Sequence, residues 1–137
     1  MLSYRHAFHA GNHADVIKHL TLVLCCEHVC KKEKGFSYID THAGAGIYDL
    51  KSLNASKNDE HLDGITSLSK LPKLPKVFSS YLALIEQAKK HKASSYPGSP
   101  WFAAQFLRQQ DQAILFEMHP KDFSLLSSLF AGNRRIK

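Results

Sequence analysis

The sequence predicts an α/β fold, an open sheet with a cofactor crevice at the carboxyl end of its first strand. Three features of one stretch, FSYIDTHAGAGIYDL from Phe36 to Leu50, carry that prediction. Phe36, Tyr38 and Ile39 are aromatic and β-branched residues in a short apolar run, the pattern of a buried strand. Asp40 stands at the strand's carboxyl end, where open α/β sheets bind their ligands. Gly44 and Gly46 then let the chain turn tightly where a side chain would block a ligand. The dinucleotide fingerprint G-x-G-x-x-G would need glycine or alanine at position 49, which is Asp49, so a helix-opening phosphate cradle is disfavoured.

Composition bounds the rest. A chain of 137 residues is one domain's worth, and 44% hydrophobic with 22% charged residues is ordinary for a globular protein. The net charge of +6 permits a polyanionic partner such as nucleic acid. Cys25, Cys26 and Cys30 fall in one predicted helix and offer no paired framework. With no secretory signal ahead of them, they read as small buried hydrophobes in a reducing cytoplasm. No apolar run approaches the roughly 18 residues that a membrane span needs.

In chain order, His6, His9, His13 and His19 crowd the N-terminus beside Tyr4, Arg5, Phe8 and Lys18. Asn12 is a helix cap, and Val16, Ile17, Leu20, Val23 and Leu24 give the helix its apolar periodicity. That helix should end near Cys30, where Lys31, Lys32 and Lys34 favour its negative end before Gly35. Residues ahead of Asn12 lack periodicity and are expected to form a basic, aromatic arm. His9 and His13 are spaced to share a metal on a helix, but Gly11 and Asn12 intervene and no third ligand is evident; no metal is expected.

The stretches YRHAFHAGNHADVIKH and DTHAGAG, with YPGSP and FEMHP further on, closely resemble the RlmJ-type methyltransferases of adenine N6 in 23S ribosomal RNA. The D-x-x-x-G-x-G shape from Asp40 also resembles motif I of S-adenosylmethionine-dependent methyltransferases. The resemblance runs along the whole chain. It implies a Rossmann-like S-adenosylmethionine-dependent methyltransferase fold, with residues 1–137 as the N-terminal part of one domain. It also implies a small helical insertion at residues 51–95, after the first strand.

Beyond Leu50 the residues support that insertion. Leu62, Ile65, Leu68 and Leu71 suggest a short helix, LPKLPK at 71–76 a break, and Val77 to His91 a second helix. YPGSP at 96–100 is a turn in which Ser99 would cap the next helix and Pro100 would open it. Ala113 to Phe116 reads as a second buried strand ending in Glu117, followed by a helix over 121–130 and the start of a further strand at 132–137. A carboxylate at a strand's end can accept from both hydroxyls of a ribose, which makes Glu117 the strongest functional candidate.

Asp40 is expected to shape the turn and to orient the cofactor through water, and Gly44 and Gly46 to admit it. By resemblance, Lys18, His19, His42 and Ser99 surround its methionine portion, and Tyr4 and His6 contact the target nucleotide. Enzymes of this kind grip the adenine amine with a D/N-P-P-Y/F/W motif, which residues 1–137 do not contain. The catalytic residues are therefore expected beyond Lys137, and this chain by itself is expected to be catalytically silent. The cofactor that the resemblance implies is S-adenosylmethionine, and the partner 23S rRNA. Two rival readings are a non-catalytic nucleic-acid-binding module, favoured by the positive charge, and a histidine-dependent metallohydrolase, favoured only by histidine density.

Overall fold

In the computed structural model, residues 6–52, 59–90 and 92–137 are described. Asn12 does cap the first helix, α1 (His13–Cys30): its side chain accepts from the Asp15 backbone N–H at 2.9 Å. Asp15 reaches back to the Gly11 N–H at 3.0 Å, so the two residues satisfy donors reciprocally at the helix start. Val16, His19, Val23 and Cys26 then recur at helical spacing as the buried stripe.

Two parallel strands, β1 (Ser37–Asp40) and β4 (Gln112–Leu115), pair in register from Ser37–Gln112 to Asp40–Leu115. Residues 135–137 pair in parallel on the far side of β4, with an isolated bridge between Ala113 and Ile136, so the chain does enter a further strand there. The expected burial of β1 is only half met. Tyr38 and Asp40 are partly covered, whereas Ile39 is 59% exposed on a face that no described residue closes.

Between β1 and β4 the chain forms β2 (Ile47–Asp49), α2 (Ile65–Ser69), α3 (Ser79–Lys89), β3 (Ser95–Pro97) and α4 (Ser99–Ala104). Single 3-10 turns at Glu60–Leu62 and Lys76–Phe78 precede α2 and α3. β2 and β3 pair antiparallel, Tyr48 opposite Tyr96, and clasp the base of this excursion as a short ribbon. That ribbon is a correction to the simple turn expected at YPGSP. The last helix, α5 (Pro120–Leu129), follows β4.

The core lies where α1, α3, α4 and the ribbon meet. Tyr81, Tyr96 and Phe102 are fully buried there, and Tyr81 stacks on Phe102 with ring centroids 5.5 Å apart. Each such ring contributes on the order of 2 kcal/mol by leaving water. At the opposite end of the strands Arg108 acts as a clasp. Its guanidinium donates to the carbonyls of Cys30, Lys32 and Lys34, and it grips Asp111 through Nε at 2.7 Å and a second nitrogen at 3.1 Å. Arg108 thus brings a distant cation to the C-terminus of α1, beside the lysines of the helix's own tail.

Candidate active site

The loops that follow β1 and β4 lie side by side and line one cavity of about 560 Å³. Ligand crevices of α/β proteins lie at this end of the strands. Two backbone hydrogen bonds hold the loops together: Phe116 N–H to the Asp40 carbonyl at 2.8 Å and Ala43 N–H to the Phe116 carbonyl at 3.0 Å.

Glu117 sits at the centre of this junction. Its Oε2 accepts from the Gly44 N–H at 2.8 Å and its Oε1 from the His119 N–H at 2.6 Å. An ionised carboxylate has about four acceptor positions. One backbone donor on each oxygen fixes its direction and leaves further lone pairs for a ligand in the cavity it lines.

Asp40 shapes the turn after β1, as expected, and also braces the start of α4. Its Oδ2 accepts from the Ser99 hydroxyl at 2.6 Å and from the Tyr38 hydroxyl at 2.7 Å, while its Oδ1 accepts from the His42 N–H at 3.0 Å. It ties the end of β1 to the start of α4 and does not line the cavity. Ser99 does line it, but as the first residue of α4. Gly98 is the N-cap, with Pro100 in the first turn, because the serine hydroxyl is committed to Asp40 rather than to a helix N–H.

The two glycines are also explained by packing. Gly44 and Gly46 both have positive φ, 64° and 80°. A Cβ on Gly44 would strike the Tyr48 hydroxyl, which accepts from the Ala45 N–H at 3.1 Å. A Cβ on Gly46 would lie 2.6 Å from a methyl of Leu129 in α5. Gly44 borders the cavity, whereas Gly46 lies behind it, so its expected contact with a cofactor gives way to contact with α5.

The other side of the cavity comes from the N-terminal residues. His6 belongs to a 3-10 turn at His6–Phe8 and lies 2.8 Å from Asp15, so the expected arm is docked on α1 at this point. His9 is likewise engaged, bonded to Glu60 at 2.9 Å. Lys18 Nζ pairs with the other Asp15 oxygen at 2.9 Å yet stays 60% exposed at the cavity wall. Burial alone would raise the Asp15 pKa, but the hydrogen bond and charge of His6, with the hydrogen bond of Lys18, hold it well below the carboxylate range. His19 is buried and bonded to the Tyr96 hydroxyl at 2.9 Å; desolvation pulls its pKa down to about 4, so the ring is neutral at pH 7.

Lys18, His19, His42, Gly44, Ser99, Glu117 and His6 are therefore gathered around one cavity. Tyr4 lies outside the described residues. Sequence reasoning missed Phe116 and Met118, which flank Glu117 and are 53% and 78% exposed despite being apolar. An apolar pair around the acid in FEMHP was the available signal. It also missed Asp122, buried in the first turn of α5, for which no pattern in the sequence gave notice. Among the described residues no group of three histidine, cysteine, aspartate or glutamate side chains is arranged to hold a metal, and no helix is long and apolar enough to cross a membrane.

Fold and site define a class: a mixed α/β protein whose parallel strands present a ligand crevice at their carboxyl ends. Within it, the chain belongs to the methyltransferase family described as ribosomal RNA large subunit methyltransferase D, RlmJ, whose family model matches residues 33–137. It is 44% identical over 138 aligned residues to the ribosomal RNA large subunit methyltransferase J of Haemophilus influenzae (strain Rd), covering 99% of this chain and 49% of that protein. The protein of the same name from Escherichia coli K12 is also 44% identical, over 100% of this chain and 49% of its own length. The crystal structure of protein LPL1258 from Legionella pneumophila superposes with a TM-score of 0.82 at 40% identity, covering 93% of this chain and 47% of that one. The chain spans about half the length of the curated relatives it matches.

Proposed function

We propose that residues 1–137 form the cofactor-binding part of a Rossmann-like, S-adenosylmethionine-dependent methyltransferase that modifies the N6 amine of an adenine in 23S rRNA. Residues 51–95 are its helical insertion, and the groups that grip the adenine belong to the rest of the protein. The observation that carries this reading is Glu117, whose carboxylate is aimed by two backbone N–H groups and keeps acceptor capacity in the cavity.

The residues present fit the cofactor. Cavities of roughly 300–1,000 Å³ hold ligands of this size, and this one is about 560 Å³. Two carboxylate oxygens match the two donors of a ribose diol. Phe116 and Met118 offer apolar surface beside Glu117 for a purine. Lys18 supplies a cation, and His19 a neutral imidazole, for the charged groups of an amino-acid moiety. When bound, S-adenosylmethionine supplies an electrophilic methyl group on its sulfonium. The contribution of this chain is to hold that group in line for an acceptor amine and to keep its polar ends fixed. His6 lines the same cavity and is a candidate contact for the target nucleotide, as is Tyr4.

Replacing Glu117 with alanine in the full-length protein tests the reading by calorimetric titration with S-adenosylhomocysteine. Loss of its charge-assisted hydrogen bonds should weaken binding at least about 10-fold, at about 1.5–3 kcal/mol per hydrogen bond to a charged group. Unchanged affinity would remove Glu117 from the site. Salt-sensitive RNA binding with no cofactor affinity in the parent protein would instead favour a binding module.

A further inference from the structure

A chain of three buried polar side chains runs from the cavity wall into the core. Tyr81 Oη lies 3.1 Å from Tyr96 Oη, which lies 2.9 Å from His19 Nδ1. Both tyrosines are fully buried, and His19 is 4% exposed with its ring 5.0 Å from that of Phe102. Each tyrosine hydroxyl has one hydrogen to donate, and a neutral imidazole has one N–H and one bare nitrogen. Two directions of donation are therefore conceivable, and they differ in what they strand.

If His19 Nδ1–H donated to Tyr96, Tyr96 would either donate to Tyr81 or accept from it as well. One tyrosine hydrogen, that of Tyr81 or that of Tyr96, would then have no acceptor among the described residues, in a fully buried position. An orphaned buried donor costs about 1–3 kcal/mol. If Tyr81 donates to Tyr96 and Tyr96 donates to His19 Nδ1, both hydroxyl hydrogens are used. The single imidazole hydrogen is then on Nε2, the nitrogen left for the cavity that His19 lines.

We infer that Tyr96, supported by Tyr81, is a positioning residue that locks neutral His19 with its hydrogen on Nε2 and so presents an N–H donor to the cavity. Beside Lys18 Nζ, that donor suits an acceptor group such as the carboxylate of the ligand's amino-acid end. The opposite tautomer would turn a bare lone pair toward the same carboxylate and repel it. In its ligand the inference rests on the methyltransferase reading above. In its hydrogen-bond direction it does not.

The test is nitrogen-15 spectroscopy of histidine-labelled full-length protein, parent and two variants, with S-adenosylhomocysteine titrations alongside. His19 in the parent should show a protonated Nε2 and a hydrogen-bonded, unprotonated Nδ1. In Tyr96→Phe the Nδ1 signal should move to that of an unbonded nitrogen or of a tautomer mixture, and affinity should fall about tenfold, the loss of one hydrogen bond. Tyr81→Phe removes a hydroxyl from the same aromatic core but leaves Tyr96 able to donate, so the His19 signals should hold. Equal responses of His19 to both variants would reduce Tyr96 to a packing role. A protonated Nδ1 in the parent would overturn the inference outright, even if the ligand binds. A parent that shows the Nε2–H tautomer but no affinity for the ligand would instead count against the cofactor site and leave the lock standing.

Discussion

At the scale of single residues, the site is made of groups whose chemistry is set by neighbours that never touch the cavity. His19 is the clearest case. Its free pKa near 6.5 is pulled down to about 4 by burial, so the unfolded chain takes up a proton in a range where the folded chain refuses it. Its contribution to stability is whole above pH 6.5 and is lost as pH falls through 4. The shift corresponds to about 3 kcal/mol over that window. Denaturant titrations of the full-length protein at pH 7 and pH 4.5 should therefore show a loss that His19→Gln reduces by roughly 2–3 kcal/mol. An identical pH dependence in the variant would mean that His19 is solvated when folded.

At the scale of elements, the N-terminal helix was legible in the sequence and the ribbon was not. Asn12, the apolar spacing from Val16 and the lysines before Gly35 are local signals, and α1 runs from His13 to Cys30 as they suggest. The pairing of Ile47–Asp49 with Ser95–Pro97 joins two three-residue segments far apart in the chain. Strands so short carry no readable alternation, so Tyr96 passed for a turn residue and Tyr48 carried no signal at all. Ser99 misled for a related reason. Its type favours a cap, but a distant partner, Asp40, took the hydroxyl and left Gly98 as the N-cap. The Arg108 clasp was equally invisible, since its carbonyl partners lie more than 70 residues earlier. Arg108→Lys should lower the melting temperature of the full-length protein by a few degrees, because a single ammonium cannot bridge three carbonyls and a bidentate carboxylate. A melting curve that superposes on the parent's would show the clasp to be ornamental.

At the scale of the molecule, the motifs that pointed to a cofactor site converge on one cavity even where individual roles changed. Glu117 and the Gly44 loop meet through a 2.8 Å hydrogen bond across 73 residues of sequence, which no local pattern could have placed. Asp40 and Gly46 turned out to brace that junction rather than to line it, as a buried network around a site must do if the site is to hold its shape. The open face of β1, with Ile39 exposed, and the additional pairing at residues 135–137 show a sheet with apolar surface uncovered by the described residues. That is consistent with a chain that spans about half the length of its curated relatives.

The most direct test of a cofactor site at the ends of β1 and β4 is a crystal structure of the full-length protein grown with S-adenosylhomocysteine. Such a site predicts density in the cavity with both ribose hydroxyls on the Glu117 carboxylate and the carboxylate end beside Lys18 and His19. Ligand density elsewhere, or a ribose that makes no contact with Glu117, would contradict it.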